Sequence, residues 1–337
     1  MLKIVVNNEE HIKKFERITW KGGINGTSRT LEVRYLDDNT IAKLGDKVEF
    51  YVDEDKLFTG KVFSVEVTGQ SQIKTFSCFD NSIYLNKNYF VKNFNKKKPS
   101  QILKEICGEL KLEVGNLPQD IVDCTYPAVN RSGYQIILNA YTIQHRKDKK
   151  IYSIVSNDGK IEVIEQGAMA DVLLHSEQDI KSSKYGEDIE KMVNQIVIYK
   201  TEKEKQQIVD KVENKEDKEK YGLFQKVMHY DKDRDNISNA KEMLKSVEKT
   251  GNITCLGNVL IQSGYSIGIH EPHTNLVGSF LVKNDTHIWE NDVYYCDVEL
   301  AFENVMDKTE FEDKPKSKKS KNKKTKKEKT GKKAGGK

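Results

Sequence analysis

Apolar and polar residues alternate along three segments in the first part of the chain, at residues 47–52, 57–67 and 73–79. An alternation with a period of two is typical of a β-strand that buries one face. Short turn sequences rich in Gly and Asp separate these segments, as at residues 44–46 (LGD). Strands of this length and spacing predict a small barrel or sandwich over residues 1–92.

The apolar period becomes helical after residue 95. Pro99 suits the first position of a helix, and the apolar residues that follow recur every three or four positions. A second helix is predicted to begin at Ser132, because Gln135 three residues later completes a capping box. The sequence Asn-Asp-Gly at 157–159 then predicts a tight hairpin, since Asp-Gly accommodates positive φ. Residues 93–184 are therefore expected to form a separate, inserted α+β domain.

Strand patterns return at residues 192–199 and 221–230. The segment between them, 201–220, is almost wholly Lys, Glu, Gln and Asp, so it buries little and is expected to be a solvated charged loop or a hairpin extension. A third helix is predicted over 237–249, ending before Gly251. Residues 185–312 are expected to form a second β-barrel, with further strands at 252–256, 265–270, 276–283 and 293–302.

Three strand segments of the second half resemble three segments of the first half at a nearly constant distance along the chain. The first pair is LGDKVEFYV at 44–52 and SGYSIGIHE at 263–271. A constant offset over three strands predicts a duplicated β module, with the α+β domain inserted between its copies. The matched residues are Gly45 with Gly264, Gly60 with Gly278, and Cys78 with Cys296, at offsets of 219, 218 and 218.

The net charge of +4 hides an uneven distribution. Residues 314–337 hold 13 Lys and one Glu, while the rest of the chain holds 43 basic and 51 acidic residues. We therefore expect an acidic folded body and a disordered, Lys-rich tail over residues 313–337. The tail contains no Arg and no aromatic residue, so any polyanion would be bound by charge alone.

Other features restrict the compartment. No run of about 18 apolar residues is present, so no membrane-spanning helix is predicted. The first residues, MLKIVVNNEE, lack the apolar core of a secretory signal. The five cysteines are scattered without a CxxC pair, as in proteins whose thiols stay reduced in the cytosol.

The sequence contains no P-loop, dinucleotide-binding, HExxH or nucleophile-elbow motif. His270 and His273 are close in sequence, but Pro272 places them in a turn and no third ligand lies nearby. A catalytic Cys–His dyad or carboxylate pair cannot be assigned without coordinates. We therefore predict no catalytic, cofactor-binding or metal-binding residue and no cofactor. Three cysteines fall within strand or helix patterns, where cysteine is usually a small buried residue: Cys78, Cys107 and Cys296.

Several segments follow one another in the order found in a known family. They are KKKPSQILKEICGELKLEVGNL at 96–117, NDGKIEVIE at 157–165, DIEKMVNQIVIYK at 188–200 and YGLFQKVMHYD at 221–231. Over about residues 1–305 the chain resembles the phage tail baseplate hub proteins of Gram-positive phages and phage-like elements, the PBSX XkdQ/YqbQ type. That group is related to the hub of contractile-tailed phages and to the N-terminal part of type VI spike proteins.

The resemblance implies a homotrimer in which each chain carries two tail-tube-like β-barrels. Six barrels in a ring would then join a six-fold tail tube to a three-fold central spike. The implied partners are further copies of the chain, the tail tube protein, the central spike protein, baseplate wedge proteins and the tape measure protein. The implied location is the tail baseplate of a virion or of a bacteriocin-like particle, assembled in the cytoplasm of the bacterial host.

The leading hypothesis is therefore a structural, non-enzymatic protein of β-rich α+β class. A tail-associated cell-wall hydrolase is one alternative, although it would need a catalytic domain with a recognisable nucleophile or metal set. A polyanion-binding or nucleic-acid-binding protein acting through the Lys-rich tail is the other. The acidic body argues against the second alternative, because a nucleic-acid-binding domain normally carries its basic patch on the fold.

Overall fold

A computed structural model describes residues 1–11, 15–26, 28–36, 41–69, 73–202, 204–232, 234–303 and 306. The described part is β-rich, with strands outnumbering helices throughout. Within it, no helix combines the length and the apolar character needed to cross a membrane. The predicted Lys-rich tail, residues 313–337, lies outside the described residues.

The N-terminal strands form the first module, in which they pair in the order β3-β4-β7-β6-β5-β1-β2. Its core consists of inward-facing side chains such as Trp20, Phe50 and Phe76, each at most 2% exposed. The alternating pattern predicted β5, β6 and β7 to within two residues, because one face of each strand is buried. The strands are β1 (Leu2–Val6), β2 (Glu9–His11), β3 (Phe15–Gly23), β4 (Thr30–Leu36), β5 (Lys47–Val52), β6 (Asp55–Val67) and β7 (Ile73–Asp80).

The middle unit follows and has a hydrophobic core of its own, built around residues such as Leu103, Ile106 and Ile137. Two antiparallel pairs, β8 with β9 and β10 with β11, surround two longer helices. The elements are α1 (Ile83–Lys87), β8 (Tyr89–Lys97), α2 (Pro99–Glu109), β9 (Cys124–Ser132), α3 (Gly133–Asp148), β10 (Tyr152–Asn157) and β11 (Lys160–Glu165).

Local sequence signals predicted this unit well. Pro99 is the first residue of α2, as expected. The Ser132 hydroxyl accepts the Gln135 N–H, and the Gln135 side chain accepts the Ser132 N–H, which confirms the predicted capping box. Asp158 and Gly159 both have positive φ, at 48° and 77°, between β10 and β11. These signals succeed because each depends only on residues a few positions apart.

The second module contains strands paired in the order β13-β17-β20-β19-β18-β12. The domain boundary expected after residue 184 falls inside β13, because β12 and β13 already pair with β18 and β17. The module's core includes Ile253, Ile267 and Val298. Its strands are β12 (Met169–His175), β13 (Ile180–Asp188), and, after an insertion, β17 (Glu248–Leu256), β18 (Ser266–Glu271), β19 (Leu276–Glu290) and β20 (Val293–Ala301).

The insertion is a small side sheet in which β14 lies between β15 and β16. The charged segment 201–220 is thus a hairpin extension, since its exposed strand pairs with β14 and leads into a helix. The elements are β14 (Gln195–Glu202), β15 (Lys205–Glu213), α4 (Lys215–Tyr221), β16 (Gln225–His229) and α5 (Asn236–Met243).

The predicted helix over 237–249 was wrong at its C-terminal end. Helix α5 ends at Met243, and residues from Glu248 onward form β17. Gly251 lies within that strand and does not follow the helix. Strand β17 pairs with β13 on one side and β20 on the other, so tertiary pairing overrides the local helical pattern.

The two modules share one strand order, as a duplicated module would. In each module, four strands that are consecutive within the module (β4 to β7, and β17 to β20) pair in the order first, fourth, third, second. The Gly45 N–H donates to the Val62 carbonyl at 2.9 Å, and the Gly264 N–H donates to the Val282 carbonyl at 3.0 Å. Both glycines have positive φ, 86° and 94°. A β-bulge follows Val62 in β6 and Val282 in β19.

The other two matched pairs were wrong in register. Because Val62 corresponds to Val282, the counterpart of Gly60 is Phe280, two residues beyond Gly278. Val62 pairs with Cys78, whereas Val282 pairs with Leu300, so Cys78 corresponds to Leu300 and does not correspond to Cys296. Sequence matching missed these shifts because the strand-to-strand connections differ in length between the modules.

Candidate functional site

The two modules are joined by one strand pair, which we call the seam. Residues Asn284–Glu290 of β19 pair antiparallel with residues Arg17–Gly23 of β3. The seam makes one continuous 13-stranded sheet out of both modules. A Cβ at Gly22 would lie 2.3 Å from the Arg29 guanidinium, and one at Gly23 would lie 2.2 Å from the Asn284 side chain, so either side chain would have to move.

A buried ion pair crosses the seam beneath these glycines. The Arg29 guanidinium, from the first module, donates to both carboxylate oxygens of Asp285, from the second. Asp285 has no exposed side-chain surface, and Arg29 is 12% exposed. The guanidinium also lies 3.8 Å from the centre of the Trp20 ring. This bidentate contact links the two modules and constrains the relative orientation of the two side chains.

Two further groups hydrogen-bond to the Asp285 carboxylate. The Ser263 N–H donates to Asp285 Oδ1 at 2.7 Å, and His287 Nε2 lies 3.2 Å from Oδ2. Burial alone would raise the pKa of Asp285, but the Arg29 charge and the His287 hydrogen bond hold it well below its usual range. The carboxylate is therefore ionised and fully paired, which is the condition for a buried charge to be tolerated.

His287 is the third member of this cluster, which we call the joint (Arg29, Asp285 and His287). Its Nε2 faces the Ile261 carbonyl at 2.9 Å as well as Asp285, so Nε2 carries a proton and donates. Its Nδ1 lies 2.8 Å from the Tyr294 hydroxyl. Burial alone would lower the pKa of His287, but the hydrogen bonds with Asp285 and Cys296 raise it to about 9.

The raised pKa predicts a pH dependence of stability. A histidine whose folded pKa of about 9 exceeds the ordinary 6.5 stabilises the fold fully below pH 6.5. That stabilisation is lost as the pH rises through 9. The urea midpoint should therefore fall between pH 6.5 and 9, and the fall should flatten in His287→Gln. An equal slope in the variant would show that other groups cause it.

The structure brings Cys296 and His287 together, a contact that the sequence left open. Cys296 Sγ lies 3.1 Å from His287 Nδ1, the arrangement of a nucleophile and its base. Both side chains have no exposed surface, so neither is accessible to a substrate in this structure. All five cysteines are buried and free, as predicted for Cys78, Cys107 and Cys296. Burial raises the pKa of Cys107 to about 12.

The joint was missed in the sequence because Asp285 is one of many acidic residues. The signal that would have revealed it is its place in β19. Asp285, His287 and Trp289 lie on one face of β19 and are all buried, so a carboxylate and an imidazole occupy the buried face of a strand. Buried polar groups need partners, and the Arg29 side chain that pairs with Asp285 is 256 residues away in sequence.

His273 lies in the predicted turn, but the prediction was wrong for His270, which lies within strand β18. Residues Pro272–Thr274 form one turn of 3₁₀ helix, and His273 Nδ1 is 3.2 Å from a Glu271 carboxylate oxygen. His270 packs against His175 at a ring-centre distance of 5.7 Å. Within the described ranges, no group of three or more His, Cys, Asp or Glu side chains is placed to hold a metal ion.

A cavity of about 400 Å³ lies where the middle unit meets the two modules. Its lining mixes charged, polar and apolar side chains from all three parts, including Arg29, Glu162, Met169 and Tyr265. Arg29 reaches it from the joint, so the cavity borders the same region that fixes the two modules.

The chain is similar to proteins of phage-like elements and prophage tails, both in sequence and in fold. The phage-like element PBSX protein XkdQ of Bacillus subtilis (strain 168) is 22% identical over 297 residues, covering 81% of this chain and 89% of that protein. The 43 kDa tail protein of prophage MuSo2 from Shewanella oneidensis has a TM-score of 0.71 at 10% identity, covering 89% and 97% of the two chains.

A third relative is the E. coli c3393 protein, a component of the type VI secretion system with structural similarity to the T4 bacteriophage tail proteins gp27 and gp5. Its TM-score is 0.57 at 8% identity, over 91% of this chain and 79% of that one. At identities this low, the similarity of these two structures to this chain is a similarity of fold. The sequence also matches the model of the YQBQ-like family over residues 18–301, a range that contains the middle unit and nearly all of both modules. This chain therefore belongs to the YQBQ-like family.

Proposed function

We propose that this protein is a structural, non-enzymatic hub in the tail baseplate of a phage or of a phage-tail-like particle. The observation that carries the proposal is the strand order repeated by β4–β7 and β17–β20 within one chain. A duplicated module allows three chains to present six similar modules, as a connector between six-fold and three-fold structures needs. The tail-protein names of the relatives support the same role.

In this proposal each module is a tail-tube-like β-barrel, and the trimer places six barrels in one ring. The ring contacts the tail tube protein on one side and the central spike on the other, with the tape measure protein as a further partner. The seam and the joint give the ring its rigidity, because a buried ion pair fixes neighbouring modules within each chain.

The middle unit would bind the spike or the baseplate wedge proteins. Its β8–β9 surface exposes Tyr89, Val91 and Val129 at 64%, 74% and 64%, and Val91 pairs directly with Val129. Exposed apolar side chains grouped on one surface mark sites of protein–protein contact. The proposed location is the tail of the particle, after assembly in the host cytoplasm.

Light scattering of the full-length chain over a concentration series tests this function. High salt should be present, since it screens contacts made by the Lys-rich segment. We expect the mass of three chains, either alone or on addition of the spike protein. A chain that stays monomeric and binds neither tube nor spike protein would contradict the proposal.

A further inference from the structure

Several strands of the two modules have an edge without a partner strand within the described residues, and two of these edges, one in each module, belong to counterparts of the seam strands. Strand β5 pairs with β6 only as far as Lys61, so residues 64–67 of β6 have β7 on one side and no strand on the other. Strand β13 pairs with β17 alone. Such edges present unpaired N–H and C=O groups, which readily accept another strand.

Each free edge has a counterpart in the other module that is already paired. Strand β6 corresponds to β19, as the shared hydrogen bonds and bulge at Val62 and Val282 show. Strand β13 corresponds to β3. Strand β3 pairs with β4 and β13 pairs with β17, and each pairing has a register shift near the start of the strand. The shift lies between Phe15 and Arg17 in β3 and between Ile180 and Ser182 in β13.

The seam pairs the two counterparts, β19 and β3, within one chain. We infer that β6 of one copy pairs antiparallel with β13 of a second copy, repeating the seam between chains. The inference deepens the proposed function, on which it rests for the number of copies. One chain has one edge of each kind, so the contact is head-to-tail, and with the three copies of the proposed function it closes into a ring.

The seam also fixes the register of the new pair. In the seam, Asn284 lies opposite Gly23 and His287 lies opposite Trp20. The equivalent positions in the other module follow from the matched strands. A position in β19 corresponds to the position 220 residues earlier in β6, and a position in β3 corresponds to the position 165 residues later in β13. The transferred register places Ser64 opposite Asp188, Val65 opposite Glu187, and Val67 opposite Tyr185.

The side chains suit this register. Val67 is 59% exposed although it lies on the same strand face as Val65, which packs against the core. Tyr185 is partly buried and packs against the core of the second module. A Val67–Tyr185 pair would cover both, and aromatic with β-branched side chains is a favourable cross-strand combination. On the opposite face, Glu66 lies diagonal to Lys184, so opposite charges meet.

The register can be tested by disulfide trapping between two variants, each of which carries one introduced cysteine. Ser64→Cys and Asp188→Cys occupy exposed positions, and the five natural cysteines are buried. The Thr68 N–H donates to Ile73 in β7, so by alternation the Ser64 backbone groups also face β7. Ser64 and Asp188 would then form a non-hydrogen-bonded pair, whose short Cα separation suits a disulfide.

Full-length chains carrying Ser64→Cys are mixed with chains carrying Asp188→Cys and oxidised with a copper–phenanthroline catalyst. We expect a covalent dimer of the two variants. A mixture of Ser64→Cys with Lys184→Cys is the control, because Lys184 is exposed on the same face of β13 but lies about 14 Å from position 188. The control should lose the cross-linked band.

The outcomes separate the two proposals. Cross-linking of the in-register pair alone supports the inter-chain seam. A trimer by light scattering without that cross-link, or with equal cross-linking in the control, overturns the seam and leaves the hub function standing. A chain that stays monomeric with its partners present overturns both.

Discussion

Asp285→Asn is expected to lower the free energy of unfolding by about 3–5 kcal/mol. The substitution keeps the shape of the side chain and an acceptor for the Ser263 N–H, but it removes the negative charge. The Arg29 guanidinium would then remain largely buried without a counter-charge. Removing one partner of a buried pair costs more than the pair itself contributes, because the remaining charge has already lost its water.

Glu290→Gln is the matched control for this change. It removes one carboxylate from the same strand and the same seam, but the Glu290–Arg17 contact is 3.6 Å long and both side chains are about 30% exposed. We expect a loss of at most about 1 kcal/mol, as for surface ion pairs. The double variant Arg29→Met with Asp285→Asn should recover stability relative to Asp285→Asn, since no unpaired charge remains.

Urea unfolding followed by tryptophan fluorescence measures this effect at the joint itself. The chain has two tryptophans, and both Trp20 and Trp289 lie within 7 Å of the His287 ring centre. If Asp285→Asn unfolds at the same urea concentration as Glu290→Gln, the buried pair does not lock the modules.

Ile106→Ala is expected to destabilise the middle unit by about 2–5 kcal/mol. Ile106 is fully buried in α2, within a core that has no residue from β1–β7 or β12–β20. The cavity left by the missing atoms should therefore weaken protection in α2 and α3 first. Because both tryptophans lie in the core of the first module, their urea transition should move less than the hydrogen exchange of these helices.

Hydrogen exchange with mass spectrometry checks this prediction. Lys104→Ala, an exposed position on the same helix, is the control and should change stability by less than about 0.5 kcal/mol. If Ile106→Ala lowers protection equally in the modules and in the middle unit, the three cores unfold as one. If the middle unit of Ile106→Ala unfolds separately, the two modules should still form the trimer.

Short-range sequence signals account for the parts of the fold that were predicted correctly. The capping box at Ser132, the start of α2 at Pro99 and the turn at Asp158 each depend on neighbours within a few residues. The repeated strands were visible as well, because Gly45 and Gly264 both need positive φ before a strand. The end of α5 was missed because β17 is held by pairing on both edges.

The sequence by itself predicted two similar β modules with an α+β unit between them, and it contains no recognisable catalytic motif. Only the tertiary structure decided the register of the repeat, the seam and the joint. The physical reason is that strand pairing and buried ion pairs join residues far apart in sequence, as Arg29 and Asp285 are. Hydrophobic periodicity reports which face of a strand is buried, but it does not report which strand lies beside it.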